Sequence, residues 1–377
     1  MDKHVKLYKK ALDTPLKPHK IAVYGIANYD DVFNISKEKL GKIQINTIFD
    51  DIASRVLKNK SYTEYNRDID DINEAIMKLK NISLKEKVIL GGNASNISLA
   101  LSALGNKAHL EVKRATSDMV KQLKSEGIAS VKSSIDKAAH HLIVQVKEDG
   151  DRFIISPDYG IYEPELVDFV DNTCDFAVYS GAHLDAKSEP VQAELLKRVK
   201  NISRTSKLYI ELGSGSRMAK DNCRKVSKYA DIVGMNEIEL ETMTGKKDIV
   251  EAAAVFHKKY MKSDSILVIH TMKGSLALSS KPIEGLPLAQ ALGHLSGSSR
   301  YIHGKYMSIG DMKKKFKNII LHQKEIPNKT KYHISWVAGI LHKGEGLAVG
   351  SGDGYVAGFI TGYLNFCKNH FNPLKSL

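Results

Sequence analysis

Short apolar runs alternate along the chain with longer stretches whose apolar residues recur at helical spacing. The runs Ile21 to Tyr24, Phe176 to Tyr179, Leu208 to Leu212, Asp231 to Val233, Ile266 to His270 and Leu347 to Val349 read as strands. Their alternation with helices predicts an α/β fold, with a mostly parallel central sheet and helices on both faces. Polar or glycine-containing segments follow nearly every strand: Gly25 to Asp31, Ser180-Gly181-Ala182-His183, Glu211 to Arg217, Gly234 to Glu239 and His270 to Gly274. Ligands of such sheets bind outside the carboxyl ends of the strands, so these loops predict one shared rim.

Two regions break the alternation. From Val32 to Thr47 and from His140 to Ser156 the pattern predicts short antiparallel strands, Ile43 to Ile48, Leu142 to Val146 and Arg152 to Ile155, with a turn at Glu148-Asp149-Gly150-Asp151. Together they predict a small β-sheet lid that would keep water from a reaction site. The expected division is a discontinuous large α/β domain, 18–31, 51–127 and 165–377, with a lid of 32–50 and 128–164. A further stretch, 281–331, is rich in Gly, Ser, Lys and His, shows no clear period and reads as an irregular insertion.

The last apolar run enters Gly350-Ser351-Gly352-Asp353. Val356, Phe359, Ile360 and Leu364 then recur at helical intervals, predicting an amphipathic helix buried on one face with Asp353 near its N-terminal end. Glycines at a strand-to-helix turn expose backbone N–H groups, and the helix adds its positive dipole end, so an anion would sit there. Asp353 is placed to accept the proton of an attacking hydroxyl while those N–H groups stabilise charge on a transferring phosphoryl group. No Lys followed by Ser or Thr closes the loop, which argues against a P-loop, and the G-x-G-x-x-G spacing is missing.

At 377 residues the chain has room for one large α/β domain with a smaller appendage, or for two ordinary domains. With 42% hydrophobic and 26% charged residues it has the composition of a protein with a core, not of a disordered one. The net charge of +13 would attract polyanions, but the lysines are dispersed and only Lys313 to Lys317 form a tight run, read as a solvated helix face. Nucleic acid is therefore not the expected partner; a basic surface suits small phosphorylated anions. Cys174, Cys223 and Cys367 are few and widely spaced, as reduced buried thiols of a cytoplasmic protein would be. Met1 to Lys20 lacks a secretory pattern, and no apolar run approaches the ~20 residues that span a bilayer.

Other polar clusters sit where strands end. Asn236-Glu237-Ile238-Glu239 is a capping box at a helix start, and Glu239 could also hold Mg2+ through water near phosphates; both can be true at once. Asn28-Tyr29-Asp30 offers an amide and a carboxylate, with Asp30 either binding sugar hydroxyls or forming a turn. Gly91-Gly92-Asn93-Ala94-Ser95-Asn96 opens an apolar helix where backbone can approach a ligand, Asn93 and Asn96 supplying hydrogen bonds. Glu211 is either a strand-end surface acid or a member of the metal network with Glu239 and Asp353. His270-Thr271-Met272-Lys273-Gly274 suits a phosphate or adenine neighbour, with a satisfied core histidine as the plainer reading. Arg152 is a phosphate clamp from the lid or a cross-strand ion pair, and His140 and His141 are too isolated for a metal pair.

Taken in order, Asn28-x-Asp30, Gly91-Gly92, Asn236-x-x-Glu239 and Gly350-x-Gly352-Asp353 resemble the ribokinase-like superfamily, and more narrowly the ADP-dependent glucokinases and phosphofructokinases. The resemblance implies an Mg2+-dependent sugar kinase. Asp353 would deprotonate the hydroxyl of a hexose or hexose phosphate, and the Gly350 to Gly352 backbone, with Ser351 between, would form the anion hole. It implies that Glu239 with Asn236, and Glu211, organise Mg2+, that Asp30 and the Gly91-Gly92 loop hold the sugar, and that His270 to Gly274 meets the nucleotide. The chain departs from the ADP-dependent pattern at Tyr209, where a His two residues before the Glu211 acid is usual, and at Gly354 after the base. Lys273-Gly274 is similar to the ATP-using members, so an ATP-dependent carbohydrate or nucleoside kinase is the near alternative. A catalytically idle sugar or nucleotide sensor is a further one, and a dinucleotide enzyme built on Gly213-Ser214-Gly215 lacks the third glycine.

Overall fold

The computed structural model describes residues 2–44, 49–50, 53–54, 63–66, 69–81, 86–146, 152–156, 174–180, 189–213, 217–322, 326, 330–342 and 349–367. Its strands, in chain order, are β1 (Lys20–Gly25), β2 (Asn28–Ile35), β3 (Thr63–Asn66), β4 (Glu86–Gly91), β5 (Lys107–Arg114), β6 (Ser130–Ile135) and β7 (Ala139–Val146). There follow β8 (Arg152–Ser156), β9 (Phe176–Ser180), β10 (Lys207–Glu211), β11 (Ile232–Asn236), β12 (Ile266–Thr271), β13 (Gly274–Ser279) and β14 (His333–Ala338).

Nine strands form one sheet in the order β14-β13-β12-β11-β10-β9-β1-β5-β6, parallel from β6 across to β12 and antiparallel only at β13 and β14. Successive side chains of a strand point to opposite faces, and β1 shows what that demands. Ile21 and Val23 join the core on one face, Ala22 and Tyr24 the core on the other. Helices cover both, as expected of a parallel sheet. The three cysteines are buried thiols.

A five-stranded sheet, β3-β8-β7-β2-β4, stands beside the first. Leu142 to Val146 and Arg152 to Ile155 are indeed neighbouring antiparallel strands, β7 and β8. The remainder of this sheet differs from expectation. Its contribution from the first irregular region is β2, which starts just after β1, whereas Ile43 caps the short helix Lys37–Lys42 and residues 45–48 lie outside the described residues. β3 and β4 also belong here, and β6 completes the large sheet instead. The small sheet thus draws on more of the chain than 32–50 and 128–164. The expected turn at 148–151 lies outside the described residues.

The expected strand Leu347 to Val349 lies outside the described residues except for Val349, which sits in a turn. Two corrections concern the C-terminal half. The stretch 281–331 is not irregular: it contains the helix Leu286–His303 and the shorter helix Ile309–Lys315. The final helix, Ser351–Phe366, is buried from Gly354 to Asn365 on all sides, not on one face. These last two errors share a cause. The two long helices lie against each other so closely that a Cβ on Gly358 would come within 2.8 Å of Ser296 Cβ and 2.9 Å of Gly293 Cα. Small residues at the contact let backbones approach, and burial on all sides erases the polar face by which periodicity is recognised.

Candidate active site

The large-sheet rim, the start of the helix Ser351–Phe366 and one face of the small sheet enclose a cleft of about 420 Å³. Asn28, Asp30, Gly92, Asn93, Asn96, Glu211, Asn236, Glu239, His270, Thr271, Gly350, Ser351, Gly352 and Asp353 all line it. Ile143 and Ile154 of the small sheet provide apolar wall opposite them. Fourteen expected residues, drawn from separate elements, thus meet in one place.

Gly350 is the N-cap of the final helix at φ +78°, left-handed backbone that L side chains rarely adopt. Tyr306 Oη donates to its carbonyl at 2.8 Å, as does the Gly354 N–H at 2.9 Å, the first turn of the helix. Asp353 falls in that turn. Burial, and next the charge of Glu211, push its carboxyl up to about 7, while an Asn96 hydrogen bond and His270 act in the opposite direction. A carboxyl poised near neutrality is suited to general base catalysis.

Asn28 and Asp30 lie not in a loop at the large-sheet rim but on β2 of the small sheet. The pleat turns both toward the cleft, and Asn28 Nδ2 donates to Asp30 Oδ1 at 2.5 Å. His141, opposite on β7, approaches the same oxygen at 3.9 Å. Burial raises Asp30 to about 6 against the pull of His141 and Asn28. Gly91 does not line the cleft; it passes beneath Asp30, and a Cβ there would overlap the carboxylate. Two amide oxygens, Asn28 Oδ1 and Asn96 Oδ1, are buried with no hydrogen-bond partner among the described residues. Buried polar atoms of this kind are usually satisfied, so both oxygens could accept a hydrogen bond from a ligand in the cleft. Asn93 Oδ1, in contrast, accepts from the Ala94 N–H.

A third cluster lies along the rim. The capping box is complete: Asn236 Oδ1 accepts from the Glu239 N–H, and Glu239 Oε2 from the Asn236 N–H, each at 2.8 Å. Glu211 is buried, not a surface acid; Oε1 is 2.7 Å from His270 Nε2, and Oε2 accepts from Tyr209 Oη at 2.9 Å. Burial, then the Glu211 charge, raise Glu239 to about 8. Burial alone would lower His270, but Glu211 and then Glu239 outweigh it and carry the imidazole to about 9.

Among the described residues no group of three His, Cys, Asp or Glu side chains forms a direct metal cage. The donor set fits Mg2+ held through its own water, since that ion keeps much of its hydration and needs few carboxylates. Glu239, whose charge is disfavoured by burial and by Glu211, would gain from a cation beside it.

Not all expected residues converge, and Thr271, which does, commits its hydroxyl to the chain itself. Thr271 Oγ1 donates to the Gly274 carbonyl at 2.9 Å and accepts from the Lys273 and Gly274 N–H groups at 3.0 and 3.1 Å, so its hydroxyl closes the β12–β13 turn. Lys273 faces a neighbouring cavity, and Gly274 packs beneath the Trp336 ring. Arg152 is paired in register with Gln145, and its side chain lies outside the described residues. Residues 181–183 and 214–216 lie outside them too.

The sequence reading missed Arg300 and Tyr306, which stand behind the glycine loop, and weighed His141 only as half of a metal pair. A lone arginine directly after the uncharged run Leu286 to Ser299 was the available signal for the first. Tyr209, noted only as a departure, turns out to orient Glu211.

The family model of the pfkB carbohydrate kinases matches residues 58–284. Among solved structures, an ADP-dependent kinase in complex with fructose-6-phosphate and ADPβS superposes with a TM-score of 0.75 at 12% identity, covering 99% of this chain and 98% of that one. A phosphofructokinase from Pyrococcus horikoshii OT3, solved with AMP, gives 0.68 at 15% identity over 93% and 98% of the two chains. A probable sugar kinase from Rhizobium etli CFN 42 gives 0.51 at 15% identity over 80% and 91%. No curated protein sequence matches the chain.

Proposed function

The chain belongs to the pfkB family of carbohydrate kinases, and from that membership and the cleft we propose that it moves the β-phosphoryl group of ADP to a hydroxyl of a hexose or hexose phosphate. The observation that carries the reading is Asp353. Its half-buried carboxyl sits one turn into a helix whose N-cap is the left-handed Gly350, so base and anion hole are parts of one element. Asp353 takes the proton as the sugar oxygen attacks, and the N–H groups at the helix start receive the charge of the transferring group. Asn28 and Asp30 hold sugar hydroxyls from the small sheet, which acts as the lid and keeps water from competing as acceptor.

Glu239 and Glu211 would hold Mg2+ through its water, and the ion would supply positive charge for the phosphate oxygens. His270, kept protonated by Glu211, adds positive charge at the nucleotide end of the cleft. ADP is favoured as donor because the likeness over nearly the whole chain is to an ADP-dependent kinase, at 0.75 against 0.51 for the Rhizobium sugar kinase. The sequence Lys273-Gly274 after Thr271, which resembles the ATP-using members, supports ATP as the second reading.

Phosphorus NMR with Mg2+ tests both, offering ADP and ATP separately with glucose, fructose 6-phosphate, ribose and nucleosides, beside an Asp353→Asn control. Transfer from ADP that the control lacks is the expected result. Transfer from ATP alone moves the protein to the other branch, and nucleotide binding without transfer from either leaves a sensor.

A further inference from the structure

Resting on the kinase reading above, we propose that Arg300 and Tyr306 are positioning residues that set the direction and strength of the anion hole. Arg300 lies near the end of the helix Leu286–His303, is buried at 8% exposure, and donates from Nε to the Val349 carbonyl at 3.2 Å and from Nη1 to the Gly304 carbonyl at 2.9 Å. Its guanidinium lies 5.1 Å over the Tyr306 ring. Tyr306 Oη in turn donates to the Gly350 carbonyl at 2.8 Å, and a Cβ on Gly354 would lie only 3.0 Å from the Tyr306 ring.

The two carbonyls are the significant ones. The Val349 carbonyl shares a peptide plane with the Gly350 N–H, and the Gly350 carbonyl shares one with the Ser351 N–H. In a trans peptide the C=O and N–H point in opposite directions. Donors that hold both oxygens toward Arg300 and Tyr306 therefore turn the two N–H groups the other way, toward the cleft that Gly350 and Ser351 line. A hydrogen bond to a carbonyl also polarises its amide, so each N–H becomes a stronger donor, the more so when the bond comes from a cation. The Gly354 N–H also holds the Gly350 carbonyl, so the plane that left-handed Gly350 would otherwise let rotate at little cost is the Val349–Gly350 one, which Arg300 fixes, while Tyr306 adds a second donor to the other. An arginine is costly to bury, and here it meets two backbone carbonyls and an aromatic ring, not an acid at hydrogen-bond distance among the described residues. A role in holding the loop accounts for that expense.

The test uses the full chain with the substrate pair that the wild type turns over. Tyr306→Phe removes only the hydroxyl, and Arg300→Met and Arg300→Lys remove or keep the charge. For each, kcat, KM, melting temperature and inhibition by aluminium fluoride, a planar mimic of the transferring group, are measured. Tyr306→Phe should lower kcat about tenfold and weaken fluoride inhibition in parallel, with both KM values within about threefold. Arg300→Met should lose about a hundredfold and Arg300→Lys recover part of it. Wild-type kcat and fluoride sensitivity in Tyr306→Phe would overturn the proposal, as would losses in all three variants that track melting temperature and raise KM equally. Absence of transfer by the wild type is a different failure: it removes the kinase reading and takes this proposal with it before any variant is made.

Discussion

His270 Nε2 and Glu211 Oε1 lie 2.7 Å apart at the rim of the large sheet, and the same imidazole stacks on Tyr355 with ring centroids 5.0 Å apart. The ring is thereby held between an acid and an aromatic face. Because Tyr209 occupies the other carboxylate oxygen, Glu211 is fixed at both ends and meets the cleft in one orientation. The tyrosine takes over an orienting task from a core position, with burial holding its hydroxyl well above the ordinary value and so always a donor.

Removing that hydroxyl leaves a buried carboxylate oxygen without its donor. Tyr209→Phe should cost about 1–2 kcal/mol in urea unfolding and raise the Mg2+ concentration needed for half-maximal activity. An unchanged Mg2+ requirement would detach Glu211 from the metal.

Asp353 must be ionised to act as base, so kcat/KM should rise with pH with a midpoint near 7, its folded-state value. Asp353→Asn should lose about a thousandfold in kcat with nucleotide binding by calorimetry little altered.

The same carboxyl has an opposite signature in stability. Its folded value of about 7 lies above the ordinary 3.8, so its contribution to stability is whole below the unfolded value and is lost as pH rises through 7. Asp353→Asn does not titrate, and its melting temperature should exceed that of the wild type at pH 8, with the gain shrinking toward pH 4. A gain independent of pH would sink the assignment of a raised carboxyl.

Glu239→Gln separates the two tasks of that residue. Glutamine still completes a capping box, so thermal stability should hold, while the Mg2+ requirement rises about tenfold on loss of the charge. A large drop in melting temperature with unchanged Mg2+ dependence would leave only the cap.

Gly91→Ala would press a methyl group into the Asp30 carboxylate. Sugar KM should rise about ten- to a hundredfold, nucleotide KM staying put, in steady-state assays that vary each substrate. Equal loss of both would mean that the strand, not the sugar site, had shifted.

Much of this was legible in the chain itself. Strands such as Phe176–Ser180 and Lys207–Glu211 are compact apolar runs ending in a polar residue, and local propensity suffices to find them. The capping box at Asn236 and Glu239 and the glycine-to-helix turn at Gly350 are local for the same reason: their partners lie within four residues. Other features were set by contacts between distant segments. That Asn28 and Asp30 ride on the small sheet depends on pairing of β2 with β4 and β7, more than fifty residues away. The helix Leu286–His303 is hidden in sequence because the final helix covers the side by which its period would show. The raised carboxyls of Asp353 and Glu239 arise from burial and from Glu211, and neither exists until the sheet has brought the three acids to one rim. Residue types and spacing determined which chemistry the chain holds; tertiary packing decided where the groups face, because burial and charge proximity belong to the folded arrangement and not to any segment of it.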